Sequence, residues 1–161
     1  MAAITADGFI GKDASHLADW SSPEDKKLFV SLTKQAGTMV MGSKTFDTIG
    51  RALPGRRTIV YTTHPEKYQG LGVVATSEDP AKLVGRLAQE GCEDLAIVGG
   101  AQIYDQFLRA GLVDELYLTI EPVLFGKGIN LLANSIETGL ELKDTQKLND
   151  NTILLHYAVK N

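Results

Sequence analysis

Chemistry in this chain has few places to reside. The segment Ser21-Ser22-Pro23-Glu24-Asp25 sets two carboxylates at the start of a helix. A carboxylate there has two uses: it satisfies free backbone N–H groups as part of a capping box, or it faces a pocket and acts on a proton. Asp25 stands three residues after Ser22 and Glu24 three after Ser21, so spacing leaves both uses and both residues open. Two glycine junctions, Gly42-Ser43-Lys44-Thr45 and Gly99-Gly100-Ala101-Gln102, each follow a short apolar run and open a helix-like segment. Small residues let a ligand approach the backbone, and the N–H groups of the following helix hold a phosphate. Neither junction has the spacing of a phosphate loop or of Gly-x-Gly-x-x-Gly, and either alone also reads as a tight turn. Two of them on neighbouring strands can clamp a pyrophosphate from both sides, which favours a dinucleotide over a mononucleotide.

The elements that must position these residues follow from patterning. Met1 to Ala6 is an apolar start broken by Asp7-Gly8, a turn signal, and Gly8 to Asp19 reads as a long polar loop of the kind that carries function. Ser21 to Asp25 then starts a helix, with a Ser cap, Pro23 at the first position and Leu28, Phe29 and Leu32 on one face, ending near Gly37. Strands are expected at Thr38 to Met41, Thr58 to Tyr61, Gly72 to Ala75, Leu95 to Val98 and Glu115 to Ile120. Helices are expected from the first junction through Ile49, from Ser77 to Gln89 with Leu83 and Leu87 inward, and from Ala101 to Ala110. Leu140 to Leu148 and Thr152 to Val159 flank Asn149-Asp150-Asn151 as a closing hairpin. This alternation predicts an α/β fold, with a mostly parallel central sheet flanked by helices on both faces and an antiparallel C-terminal hairpin. Ligands then collect at the carboxyl ends of the strands, where both junctions fall.

Composition narrows the partners. The 161 residues suit one domain, residues 1–161, and 16 basic against 20 acidic side chains give a net charge of −4. No run of Lys or Arg exceeds two residues, so a nucleic-acid or polybasic membrane surface is not expected. No apolar run approaches the roughly 18 residues of a membrane span, and the start lacks a signal-peptide pattern. Cys92 alone cannot form an internal disulfide, and three histidines supply no zinc spacing, which predicts a cytoplasmic chain without a metal. Arg57, His64 and His156 are read as ordinary surface or unpartnered residues, and oligomeric state is not legible.

Four ordered segments carry a family resemblance. Val40 through Arg57, containing Thr45-Phe46-Asp47-Thr48-Ile49-Gly50-Arg51-Ala52-Leu53-Pro54-Gly55-Arg56, resembles the central motif of the dihydrofolate reductases. Ile97 through Tyr104 resembles the second motif, Leu116 through Thr119 the third, and Trp20 through Asp25 the stretch that holds the family's active-site carboxylate. The resemblance implies a dihydrofolate reductase-like fold and NADPH-dependent reduction of dihydrofolate, a small-molecule substrate. It assigns Asp25 to orient the pterin and promote its protonation, Thr119 to support that carboxyl, and Trp20 to the catalytic loop. It assigns Leu28, Phe29, Ile49 and Leu53 to the substrate pocket, positions otherwise read as core, and Arg56 to the glutamate tail of folate. For the cofactor it implies Ala3, Ile10, Gly11, Gly42, Ser43, Lys44, Thr45, Thr62, Thr63, Val98, Gly99, Gly100, Ala101, Gln102, Ile103 and Tyr104. Among these, Thr45 takes one side of the pyrophosphate, Gly100 to Ile103 the other, and Tyr104 stands near the nicotinamide.

Departures from the pattern mark where this chain differs. Ser43 stands where the family commonly has an arginine, leaving Lys44, Ser43 and Thr63 as candidates for the 2′-phosphate. Lys26 replaces a usually apolar residue directly after the acid, and the loop from Gly8 to Trp20 is somewhat longer than common bacterial forms. Thr5 through Ile10 and Thr119 through Gly128 resemble the sister branch, the reductase domain of riboflavin-pathway enzymes, which reduces the ribose of an aminopyrimidine. The zinc motif of the deaminase half is absent from this chain. The alternatives are therefore a reductase of that type or a catalytically silent nucleotide-binding module.

Overall fold

The computed structural model describes residues 1–13, 16 and 19–160. Four strands form an all-parallel sheet: β3 (Thr38–Gly42), β4 (Arg57–Tyr61), β5 (Val74–Thr76) and β6 (Ala96–Ile97), in the order β5-β4-β3-β6. A second sheet runs β1-β7-β10-β9, from β1 (Ala2–Thr5), β7 (Glu115–Glu121), β9 (Gly139–Lys147) and β10 (Ile153–Lys160). There β1 is parallel to β7, whereas β10 is antiparallel to both β7 and β9, which gives the expected hairpin. The two sheets come together where Met1 N donates to the Ile97 carbonyl at 2.9 Å, setting β1 beside β6.

Alternation along β3 decides which helices cover which face, because successive strand residues point to opposite sides. Met39 and Met41 pack with Phe46, Val60, Tyr68 and Val98, and Phe29, Ile49 and Leu53 join that cluster. Val40 packs on the other side with Ile59, Leu83, Leu87, Ile103 and Phe107. Helices α1 (Pro23–Ala36) and α2 (Ser43–Ile49) thus cover one face, and α3 (Pro80–Gln89) and α4 (Ala101–Arg109) the other.

The ends of α1 obey local rules. The Ser22 side chain caps it, Pro23 fills the first turn, and Gly37 ends it in the left-handed region at φ 68. Its interior does not bury the apolar stripe that the periodicity suggests. Only Asp25 and Thr33 are buried, while Leu28, Phe29 and Leu32 are half-buried. The apolar face of α1 is thus partly open, with Phe29 packed against the cluster of Met39 and Met41.

Several elements differ from the sequence expectation. Strand β2 (Phe9–Gly11) lies inside the segment read as a loop and pairs with β8 (Ile129–Asn130). Strands this short show no periodicity, and this pair joins segments far apart in sequence. Helix α3 starts at Pro80 because Asp79 caps it through the amides of Ala81 and Lys82. Arg57 is the first residue of β4, not a turn residue, and its guanidinium pairs with Glu90. His156 stacks on Tyr117 at 4.1 Å, and His64 lies 3.4 Å from Glu66, so both histidines have partners. Of the long loop, Ala14, Ser15, Leu17 and Ala18 lie outside the described residues. Among the described residues, no helix is long and apolar enough to cross a membrane.

Candidate active site

Register brings the two glycine junctions together. Gly42 ends β3 opposite Tyr61 of β4, and its amide donates to the Gly99 carbonyl at 2.8 Å, while Val98 N donates to Val40 O at 3.0 Å. The chain therefore leaves β4 through Thr62 and Thr63, β3 through Ser43 and Lys44, and β6 through Val98 to Gly100, all at the carboxyl ends of adjacent strands. The approach is close: a Cβ on Gly42 would lie 3.2 Å from Ile103 Cγ1, tighter than an ordinary contact, whereas one on Gly100 would lie 3.4 Å from Thr45 Oγ1, at ordinary van der Waals distance. The Gly99–Gly100 peptide bond is cis. Neither α2 nor α4 has a side-chain cap at its N-terminus, and in α4 the Ile103 and Tyr104 amides donate to the Gly100 carbonyl. Ala101 is half-buried and Gln102 and Lys44 are exposed, while Ile103 anchors the start of α4 in the core. This donor set suits a pyrophosphate bridged between two helix starts.

The carboxylate question raised by spacing is resolved by partners. Glu24 Oε2 accepts from Asn149 Nδ2 at 3.0 Å, a tie to the hairpin turn, and this bond leads the causes that hold its pKa below the ordinary range. Asp25 is 6% exposed. It also escapes the reciprocal half of a capping box: Ser22 Oγ accepts from Asp25 N at 3.2 Å, but Ser22 N donates to Glu121, not to Asp25. Burial raises the pKa of the Asp25 carboxyl, the side chains of Thr119 and Ser21 pull it back by hydrogen bonding, Glu121 raises it again and Lys26 lowers it. Its Oδ1 is buried without a partner. A buried carboxyl with one open oxygen, biased toward its protonated form, fits proton chemistry at a ligand nitrogen.

Thr119 and Tyr104 are linked to that carboxyl, and the other predicted residues lie on neighbouring elements. Thr119 is buried on β7 opposite Ala3 of β1. Tyr104 is half-buried, and its enclosed hydroxyl donates to the Met1 carbonyl at 2.6 Å; burial pushes its pKa up and the Asp25 charge adds to the effect. Tyr104, whose hydroxyl borders Gly99, thus feels the charge of Asp25. Phe29, Ile49 and Leu53 pack on the same cluster, and the Arg56 guanidinium lies 5.8 Å from the Phe29 ring centroid with its Nε buried and unpartnered. Leu28 precedes Phe29 and is half-buried, as is Ile10 beside the buried Gly11 on β2. Trp20 stands edge-on to Phe125 at 5.3 Å, as His16 does at 5.5 Å. Sequence reasoning missed Ser21, Phe125 and Glu121. Glu121 carried one usable signal, its position two residues after Thr119 on the same strand face.

Fold and site together define an α/β protein with paired glycine junctions at parallel strand ends and a buried carboxyl at the start of its first helix. The family model for dihydrofolate reductase matches residues 1–124. The chain is 40% identical to the type 3 dihydrofolate reductase of Salmonella typhimurium over 120 residues, covering 74% of this chain and 68% of that one. Among solved structures, a dihydrofolate reductase from Enterococcus faecalis complexed with NADP(H) and RAB-propyl matches at a TM-score of 0.69 and 26% identity, covering 99% of this chain and 94% of that one. A pyrimidine reductase-like protein from Corynebacterium diphtheriae matches at a TM-score of 0.82 and 20% identity, over 99% and 90% of the two chains, which shows a shared fold. The chain belongs to the dihydrofolate reductase family.

Proposed function

We propose that this chain is an NADPH-dependent reductase and that its substrate is 7,8-dihydrofolate, reduced to tetrahydrofolate. The observation that carries this reading is the buried Asp25 carboxyl with its open Oδ1, whose charge acts on Tyr104, the residue whose hydroxyl borders Gly99 of the second glycine junction. Gly42 to Thr45 and Gly99 to Ile103 hold the two phosphates, Lys44 with Ser43 and Thr63 meets the 2′-phosphate, and Ala3, Ile10, Gly11, Thr62, Val98 and Tyr104 complete the cofactor wall. When bound, NADPH supplies the hydride. Asp25 accepts hydrogen bonds from the amino and ring N–H groups of the pterin, which fixes its orientation, and favours the proton on the substrate nitrogen. Thr119 steadies the carboxyl from β7. Leu28, Phe29, Ile49 and Leu53 supply apolar walls, Arg56 takes the carboxylate of the glutamate tail, and Trp20 closes the site from the loop.

The test is loss of NADPH absorbance when purified protein meets dihydrofolate. A second reading, reduction of an aminopyrimidine riboside, is favoured by one feature: the two segments that resemble the riboflavin branch are joined. Asp7 Oδ2 accepts from Gly126 N at 2.7 Å and from Phe125 N at 3.1 Å, tying the turn after β1 to the loop after β7. Offering both substrates in the same assay separates the readings, and NADPH binding without turnover of either would leave only a binding module.

A further inference from the structure

The first turn of α1 is held from outside, and one of the groups that hold it is a buried carboxylate with no part in the chemistry above. Glu121, 2% exposed at the end of β7, shares a strand face with Thr119. Its Oε1 accepts from the Ser22 N–H and from the Ser22 hydroxyl, both at 2.8 Å. Its Oε2 accepts from the hydroxyl of Thr152, in the turn that leads into β10, at 3.0 Å. The Ser22 hydroxyl thus donates to Glu121 while accepting from the Asp25 N–H, so one side chain links the two acidic residues. By taking the Ser22 N–H, Glu121 fills the place that a capping-box partner would take. The Asp25 carboxyl is released from that duty and interacts instead with Thr119 and Ser21.

We propose that Glu121 is a positioning residue for Asp25: its buried carboxylate holds the Ser22 cap, ties it to Thr152, and keeps the Asp25 carboxyl turned toward Thr119. The catalytic meaning rests on the reading of Asp25 given above; the clamp itself does not. All three contacts use Glu121 as an acceptor, the pattern of an ionised carboxylate. Its negative charge opposes ionisation of Asp25, in the same direction as burial. The other charged group that acts on Asp25 is Lys26 on its own helix, which favours the ionised form, and Tyr104 on α4 in turn feels the Asp25 charge.

Two readouts test this without any substrate. In Glu121→Gln, which keeps an acceptor for Ser22 but removes the charge, the Asp25 carboxyl followed by carbon NMR titrates at a lower pH than in the unaltered protein. In Glu121→Ala, which releases Ser22, the Asp25 amide exchanges with solvent roughly fivefold faster, as expected for the loss of one helix cap. Glu121→Gln restores that protection. If Glu121→Ala does not fold, Thr152→Val removes the hydroxyl that holds Glu121 Oε2, leaves the Ser22 cap intact, and reads the same exchange. An unmoved Asp25 midpoint in Glu121→Gln, or unmoved exchange in Glu121→Ala and Thr152→Val, overturns the proposal. Where dihydrofolate is turned over, Glu121→Gln lowers kcat at neutral pH more than it changes KM. Protein that binds no folate still yields both spectroscopic results, so failure of the functional reading and failure of the clamp are separate outcomes.

Discussion

At the scale of the residue, the site is marked by two groups that the fold leaves unfinished. Asp25 Oδ1 and Arg56 Nε are buried without partners, and such groups cost about 1–3 kcal/mol each when left unpaired. Thr58 Oγ1 and Tyr61 Oη are also buried without hydrogen-bond partners, so Asp25 and Arg56 are singled out by the ligand groups their charges can pair with, not by vacancy alone. Asp25→Asn keeps the shape but cannot favour a proton on a bound nitrogen. Its turnover of dihydrofolate is expected to fall by at least about a hundredfold, the usual worth of a positioned acid or base, with NADPH affinity unchanged in a fluorescence titration. Because burial lifts the Asp25 pKa, the limb of the pH–rate profile that reports its titration lies above the ordinary aspartate range, and this limb disappears from the profile of Asp25→Asn. Arg56 tests the substrate instead of the chemistry. A charged hydrogen bond is worth about 1.5–3 kcal/mol, so Arg56→Leu is expected to raise KM for dihydrofolate by roughly ten- to a hundredfold while sparing kcat. A substrate lacking the glutamate tail shows no such change, which makes this variant a discriminator between the two proposed substrates.

At the scale of the element, the site depends on how closely strand ends approach one another. Gly42 has 3.2 Å between a built Cβ and Ile103 Cγ1, tighter than the 3.4 Å at Gly100. Gly42→Ala therefore pushes the first turn of α4 away from β3, and overpacking of this kind costs about 1–3 kcal/mol. Its NADPH affinity is expected to fall about tenfold or more, with a smaller loss in Gly100→Ala, measured by titration calorimetry. Equal affinities in both variants would remove the close-approach argument. Much of this was legible beforehand. Ser22-Pro23 and Gly37 bound α1, and the apolar runs at Thr38 to Met41 and Thr58 to Tyr61 become β3 and β4, because caps and buried strands are local signals. The β2–β8 pair was not legible, since its partners are two or three residues long and widely separated. In the site, residue types and spacing bring out both junctions but leave Glu24 and Asp25 open, and only the family resemblance picks out Asp25. Glu121 does not stand out, because an acidic residue at a strand end looks solvated until the fold brings Ser22 and Thr152 onto it. Likewise Leu28 and Phe29 are apolar at helical spacing, which does not distinguish a core stripe from a cleft wall until burial is known.

At the scale of the whole molecule, the site and the fold make opposing demands on the same carboxyl. The net charge of −4 says little about binding anionic ligands, because Lys44 and Arg56 act locally and charges farther than a Debye length of about 8 Å are screened. Stability is where the whole chain feels the site. An acid whose folded-state pKa is raised binds protons more readily in the folded than in the unfolded chain. Above the raised value both states are ionised and the folded one carries the unfavourable burial of the charge. As pH falls through that value toward the ordinary aspartate range, the folded state protonates first and the penalty is released. Burial is the largest cause of the Asp25 shift, so this penalty exceeds what Thr119 and Ser21 recover. Asp25→Asn, the variant that loses activity, is therefore expected to be more stable than the unaltered protein in urea unfolding at pH 7. The difference should narrow steadily as the same comparison is moved to lower pH, because protonation then gives the native aspartate the neutrality of asparagine. A variant that is less stable at pH 7, or a difference independent of pH, would mean that the hydrogen bonds to Asp25 outweigh its burial. The carboxyl would then hold the fold together, and a functional site would not be the reason for its burial.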